Sequence, residues 1–141
     1  MPVFQVSMPA GLDAAAALRL GRALAPLRDK SVLIVGSGSM THNLYELRQA
    51  DAVAEAYAVE FASWIRQAVL DNALDRRADY RACAPHAQRA HPTEEHFLPL
   101  LVALGANAEN DPAQTIEGGI AYGVLAMESY VWGMPTAFDD P

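Results

Sequence analysis

The run Ser31-Val32-Leu33-Ile34-Val35, followed at once by Gly36-Ser37-Gly38-Ser39, constrains the fold more than any other stretch of these 141 residues. Its uninterrupted apolar side chains leave no polar face, so it suits a strand covered on both sides that leaves its sheet through a flexible loop. A second strand pattern opens the chain, where Phe4, Val6 and Met8 alternate with Val3, Gln5 and Ser7 over residues 2–8. Between the two, Asp13 precedes an alanine-rich stretch in which Ala17, Leu20 and Leu24 return at helical spacing. That predicts a helix over residues 13–27, capped by Asp13 and weakened in its last turn by Pro26. Strand, helix, strand implies a right-handed parallel crossover. The expected fold is α/β: a central, mostly parallel or mixed sheet flanked by helices, in one domain over residues 1–141.

Downstream, Val53, Tyr57, Phe61, Trp64 and Ala68 recur at spacings of four, four, three and four, which predicts one long amphipathic helix over residues 51–74 with its stripe on the sheet. Residues 75–90 are polar and contain Pro85, as a frayed helix or surface connection would. Thr93 is placed to cap a helix containing Leu98, Leu100, Leu101 and Leu104, with Glu94 and Glu95 in its first turn and Gly105 closing it. Pro99 should kink that helix or delay its start. Valines and aromatics over residues 123–132 predict a last strand, and residues 133–141 a loop.

Ten basic against seventeen acidic side chains give a formal charge of −7, which removes the diffuse basic surface that nucleic-acid binding requires. Arg76, Arg77, Arg81 and Arg89 do cluster, but Asp71, Asp75 and Asp79 are interleaved with them and cancel most of the field. Cys83 is the only cysteine, so there is neither an internal disulfide nor a cysteine-cluster zinc site. No stretch approaches the roughly 18 apolar residues of a membrane span, and residues 1–8 lack the pattern of a signal peptide. The expectation is a cytoplasmic protein with no nucleic-acid and no membrane partner.

Reactive chemistry concentrates in four histidines, His42, His86, His91 and His96, since imidazole titrates near neutrality and binds metals as the neutral base. His42 follows the glycine-serine loop at the carboxyl end of the expected buried strand, where ligands bind in open α/β sheets. Pro92 holds His91 extended at a rigid corner, a setting that suits a metal ligand. His96 lies five residues on, about 140° further around a helix, and so cannot chelate with His91 from one helical face. His86 is expected to be solvated. The Gly-Ser-Gly-Ser loop lacks the Lys-Ser/Thr ending of a phosphate loop and the third glycine of a dinucleotide loop. Ser37 and Ser39 are outside any Gly-x-Ser-x-Gly setting. Glu117 and Glu128 read as surface or partner-pairing groups.

Three segments together resemble a known family. They are Pro2-Val3-Phe4-Gln5-Val6-Ser7, the stretch VLIVGSGSMTHNL from Val32 to Leu44, and HPTEEHFLPLLVALGA from His91 to Ala106. The chain is similar to the class III extradiol ring-cleavage dioxygenases, in the branch of the 4,5-DOPA dioxygenases, and the similarity matches only the C-terminal half of that family. The resemblance implies a non-haem metal, Fe(II) or Zn(II), that binds a catechol and dioxygen while the ring opens beside the hydroxyls. It implies His42 as the catalytic acid/base and His91 as a metal ligand, with His96, Asn43 and Thr41 at the pocket or just behind it. The family's other two histidine ligands belong to its N-terminal half, so the metal would need ligands outside this chain.

The function expected is therefore the C-terminal part of an aromatic ring-opening dioxygenase, inactive without its N-terminal half. A partner is expected as well, either that missing half or another copy of the chain. Two other readings remain open on the residues alone: a non-enzymatic interaction module or inert remnant that self-associates, and a small-anion binder built on the glycine-serine loop.

Overall fold

The architecture, taken from a computed structural model, is described for residues 2–73, 78–107 and 111–134. Helix α1 spans Ala14–Leu24 and passes into a 3-10 helix, Ala25–Lys30, where Pro26 enters. Asp13 caps α1 as expected, its Oδ1 accepting from the Ala16 amide at 2.6 Å. A short 3-10 turn, Leu44–Glu46, leads to α2, Ala56–Leu70, then to two single-turn helices, α3 (Tyr80–Cys83) and α4 (Ala87–Ala90), and to α5, Leu98–Gly105. The chain closes on four short strands: β1 Gln114–Ile116, β2 Ile120–Ala121, β3 Leu125–Ala126 and β4 Ser129–Val131. They form nested antiparallel pairs, β1 with β4 and β2 with β3.

The fold is thus mixed α/β, with small antiparallel sheets where a central parallel sheet was expected. Residues 2–8 and 31–35 carry no ladder partner among the described residues. A strand is held by the hydrogen bonds of a neighbour, and without one the same apolar alternation stands open to solvent. Leu33 and Val35 are 75% and 74% exposed, Val3 and Phe4 85% and 72%. The parallel crossover fails for the same reason.

Other boundaries shift for local causes. Helix α2 begins after Val53, which is exposed, and ends at Leu70, before Asn72 turns into left-handed backbone at φ 51. Its buried stripe is Tyr57, Phe61, Ile65 and Ala68, one residue off the expected Trp64. Thr93 does not cap α5: its hydroxyl donates to Glu95 Oε1 at 2.7 Å, and Pro99 delays the helix to Leu98 and sits in its first turn. Within the expected surface connection, Tyr80, Ala84, Ala87 and Ala90 are buried, because short helical turns aim small apolar residues inward even where the composition is polar. The expected strand over residues 123–132 is broken in two between β3 and β4. Of the terminal loop, only residues 133–134 are described, and the expected basic cluster falls partly outside the described residues at Arg76 and Arg77.

The core centres on α1, α2 and α5, with Ala17, Leu18, Phe61, Ile65, Phe97 and Leu101 buried. Helices α1 and α5 cross on glycine. A Cβ at Gly21 would lie 2.1 Å from the Val102 carbonyl oxygen, and one at Gly105 would lie 2.2 Å from that of Leu18. Backbone meets backbone there, so neither helix yields by turning a side chain. Gly21→Ala and Gly105→Ala should each lower stability by about 1–3 kcal/mol, the usual cost of overpacking, despite alanine's better helix propensity. Urea unfolding followed by circular dichroism measures this, and an unchanged midpoint would show that the crossing is loose.

Candidate active site

The loop from Gly36 to Asn43 runs against the corner that precedes α5. A Cβ at Gly36 would meet the Pro99 carbonyl oxygen at 2.2 Å and one at Gly38 that of His96 at 2.3 Å. Close approach, rather than a sharp turn or an anion cradle, is what the glycines permit. The Ser39 amide is already committed, donating to the His96 carbonyl at 2.7 Å, which counts against the small-anion reading.

This contact brings His42 and His96 together. Their rings stack at 3.5 Å between centroids with an interplanar angle of 21°. Both are partly exposed, and His96 opens onto a cleft of about 980 Å³ bounded by residues 32–36, α5 and β4. Burial, and then the charge His96 would carry, hold the His42 imidazole below its ordinary pKa, against an opposing pull from Glu95. Below-normal basicity keeps His42 neutral near pH 7, the form that accepts a proton.

His91 lies differently. It is fully buried, with its ring edge-on to Phe61 and Tyr80 and tilted against Phe97, at centroid distances of 5.5, 6.3 and 5.1 Å. Its Nε2 stands 3.1 Å from the Ser39 carbonyl oxygen, and its Nδ1 has no partner. One nitrogen is engaged by a backbone carbonyl and the other is buried without a partner. Burial pushes its pKa down to about 4, the Ser39 contact pulling the other way.

Thr41 and Asn43 are buried anchors. The Thr41 hydroxyl donates to the Val124 carbonyl and accepts from the Ala126 amide, each at 2.7 Å, which ties the loop to β3. Asn43 Nδ2 donates to the Arg89 carbonyl at 2.9 Å and to Glu46 Oε1 at 3.1 Å. Neither borders the cleft. His86 is on the surface as expected, paired with Glu60 at 2.8 Å.

Sequence reasoning missed Tyr130 and read Glu128 only as a surface or partner-pairing group. Glu128 and Tyr130 border the same cleft as His96. The Tyr130 hydroxyl donates to Glu128 Oε1 at 2.5 Å, and Arg66 pairs with the other carboxylate oxygen. Burial, reinforced by the adjoining carboxylate, raises the Tyr130 phenol above its ordinary pKa. The available signal was the i, i+2 spacing of Glu128 and Tyr130, which puts both on one face of a strand. Among the described residues, no group of three His, Cys, Asp or Glu side chains stands close enough to hold a metal ion. No helix among them is long and apolar enough to cross a membrane.

Residues 1–131 match the family described as the catalytic LigB subunit of aromatic ring-opening dioxygenase. The chain is 38% identical to a 4,5-DOPA dioxygenase extradiol of Beta vulgaris, over 92% of this chain and 48% of that protein. It is 40% identical to the protein of that name from Portulaca grandiflora, again over 92% and 48%. A crystal structure of an uncharacterized Escherichia coli K12 protein superposes with a TM-score of 0.77 at 30% identity, covering 88% of this chain and 52% of that one. The chain spans about half the length of the relatives it matches.

The buried imidazole makes stability depend on pH. Above about pH 6.5 His91 is neutral in both the folded and unfolded states, and its protonation contributes nothing. As pH falls below 6.5 the unfolded chain takes up a proton that the folded chain refuses down to about pH 4, so stability declines through that window. The full loss is on the order of 3 kcal/mol at 1.36 kcal/mol per pKa unit, and the His42 shift adds in the same direction. Urea midpoints at pH 7, 6 and 5 should fall in order for the wild type and more shallowly for His91→Phe. Equal slopes would mean that the His91 ring is protonated in the folded chain.

Proposed function

The chain belongs to the family of the catalytic LigB subunit of aromatic ring-opening dioxygenases, and from that premise we propose that it is one half of an extradiol catechol dioxygenase, supplying His42 as proton acceptor and His91 as one metal donor, with His96 lining the pocket. The carrying observation is the corner that stacks His42 on His96, which borders the cleft, and ties His91 to the Ser39 carbonyl of the same loop. His91 is buried with Nε2 on that carbonyl and Nδ1 unpartnered, the arrangement in which a neutral imidazole offers its bare nitrogen to a metal.

The donors on this chain do not by themselves fit a resident metal. Stable non-haem sites present three facial ligands, and this corner offers one imidazole beside a second that the proton-transfer role occupies. The Fe(II) or Zn(II) of the proposed enzyme would therefore rest on ligands outside these residues. The length ratio to the relatives supports that reading. So do the exposed apolar side chains Val3, Phe4, Val6, Leu33 and Val35, which a complementary half or a second copy of the chain would cover.

What this chain's residues do follows from ordinary acid-base chemistry. A catechol becomes reactive toward dioxygen as its hydroxyl protons leave, and a neutral imidazole stacked on a residue that borders the cleft can take one of them. His42 is neutral at pH 7, and its ring is held in register by His96 on one face and by its own backbone, whose amide donates to the Ala90 carbonyl at 2.8 Å. Glu128 and Tyr130 give the far side of the cleft a polar edge against which a hydroxylated ring can be oriented.

Reconstitution tests the proposal. Ring cleavage of a catechol with added Fe(II) should be absent for the chain alone and appear when the polypeptide corresponding to the uncovered half of a relative is supplied in trans. In the mixture, His42→Ala should keep bound metal and lower turnover by about 10²- to 10⁴-fold, the usual worth of a general base. His91→Ala should lose metal. Cleavage by the chain alone, or metal loss in His96→Ala with metal retained in His91→Ala, would overturn this assignment. Mixing that yields no cleavage and a chain that only self-associates would favour the non-enzymatic interaction module.

A further inference from the structure

Among the described residues that border the cleft, Glu128 is the one carboxylate with a buried side chain, 7% exposed against 31% for Asp111, while Asp29 is on the surface. A carboxylate is costly to bury unless it is paired and hydrogen-bonded. Here the Tyr130 hydroxyl donates to Oε1 at 2.5 Å and the Arg66 guanidinium pairs with Oε2. An ionised carboxylate has about four acceptor sites, two on each oxygen, so these partners fix its orientation and leave one site on each oxygen unfilled by them.

Arg66 does not cancel the charge outright. It also lies 3.6 Å from Glu117, so two carboxylates share one guanidinium that is 42% exposed and screened by water. Arg28 is the only arginine or lysine on the cleft border among the described residues, and it is taken by Asp111 at 2.5 Å. The charge that faces the cleft is therefore negative, and Glu128 is its buried, oriented part.

One junction fixes both this carboxylate and the loop of His42. Thr41, the residue before His42, donates to the Val124 carbonyl and accepts from the Ala126 amide, each at 2.7 Å. Glu128 follows Ala126 by two residues, at most about 7 Å of chain. The Tyr130 hydroxyl lies 4.0 Å from the sulfur of Met40, which borders the cleft two residues before His42. Proton acceptor and carboxylate thus leave one junction in different directions, a separation suited to a ring with a short substituent rather than to a bare ring.

We propose that Glu128 is the specificity-determining residue of the cleft: its remaining acceptor sites take the ammonium of a short aminoalkyl side chain, so the preferred ligand is a catechol with a cationic tail. The inference rests on the dioxygenase reading for the ring, but the preference belongs to binding and is read without ring cleavage. Charge-assisted hydrogen bonds are about twice as strong as neutral ones, which sets the expected order.

Calorimetric titration of the whole chain at pH 7 with the aminoethyl, ethyl and carboxyethyl derivatives of catechol tests this. The aminoethyl compound should bind about tenfold or more tighter than the ethyl compound, and the carboxyethyl compound weakest. Glu128→Gln, which keeps the shape and removes the charge, should bring the aminoethyl compound to the affinity of the ethyl one. Equal affinities in the wild type, or no binding of any of the three, would overturn the proposal. So would a Glu128→Gln variant that weakens all three alike, the mark of a residue that only ties α2 to the strands. If Glu128→Gln does not fold, nuclear Overhauser contacts in the wild type decide: the methylenes of the aminoethyl tail should touch the Tyr130 ring, and a tail that touches other residues refutes the assignment. In the reconstituted mixture, KM should follow the same order. Absence of ring cleavage with the affinities as expected counts against the dioxygenase proposal alone, whereas ring cleavage with one KM for all three counts against Glu128 alone.

Discussion

Backbone pressed against backbone at the start of α5 is the contact on which the remaining structure depends. Gly36 and Gly38 lie so close to the carbonyls of Pro99 and His96 that no side chain fits between them, and Gly21 and Gly105 bring α1 equally close on the other side. Two segments distant in sequence from α5 therefore converge on one short apolar helix. Since peptide groups do not change rotamer, the arrangement tolerates little adjustment, and it places His42 and His96 ring on ring.

Polar groups are buried around this contact, and almost every one of them has a structural task. Thr41 bonds to both sides of a β3 turn, Asn43 reaches the Arg89 carbonyl, and His91 reaches Ser39. A neutral hydrogen bond adds only about 1 kcal/mol net, whereas a buried group left without its partner costs about 1–3 kcal/mol. These residues thus make the observed loop path far better than alternatives that would strand them. His91 illustrates the limit of such satisfaction: its Nδ1 is left without a partner while the other nitrogen holds the loop.

Against this tight corner stand exposed apolar side chains. The segments at residues 2–8 and 31–35 present valine, leucine and phenylalanine to solvent, and no strand pairs with them among the described residues. Apolar surface of that kind is normally covered. The chain spans about half the length of the relatives it matches, and the corner before α5 stacks His42 on His96, which borders the cleft.

What the sequence by itself determined is what local physics and composition carry. Asp13 before an alanine run specifies its own cap, the 3.6-residue recurrence of Tyr57 and Phe61 specifies the buried face of α2, and the VLIVGSGSMTHNL and HPTEEHFLPLLVALGA segments specify the family. Tertiary structure decided the rest, because it turns on groups far apart in the chain. Alternation over residues 2–8 and 31–35 states a readiness to pair, but a ladder exists only when a neighbour supplies the other half of each hydrogen bond. The glycines of the Gly-Ser-Gly-Ser loop are legible as permissive residues, but that they admit the α5 backbone is visible only once α5 is beside them. Spacing alone likewise leaves three histidines equivalent. Burial separates them, sealing His91 among three aromatic rings and leaving His42 and His96 partly exposed, since desolvation depends on what surrounds a side chain in space and not on its neighbours along the chain.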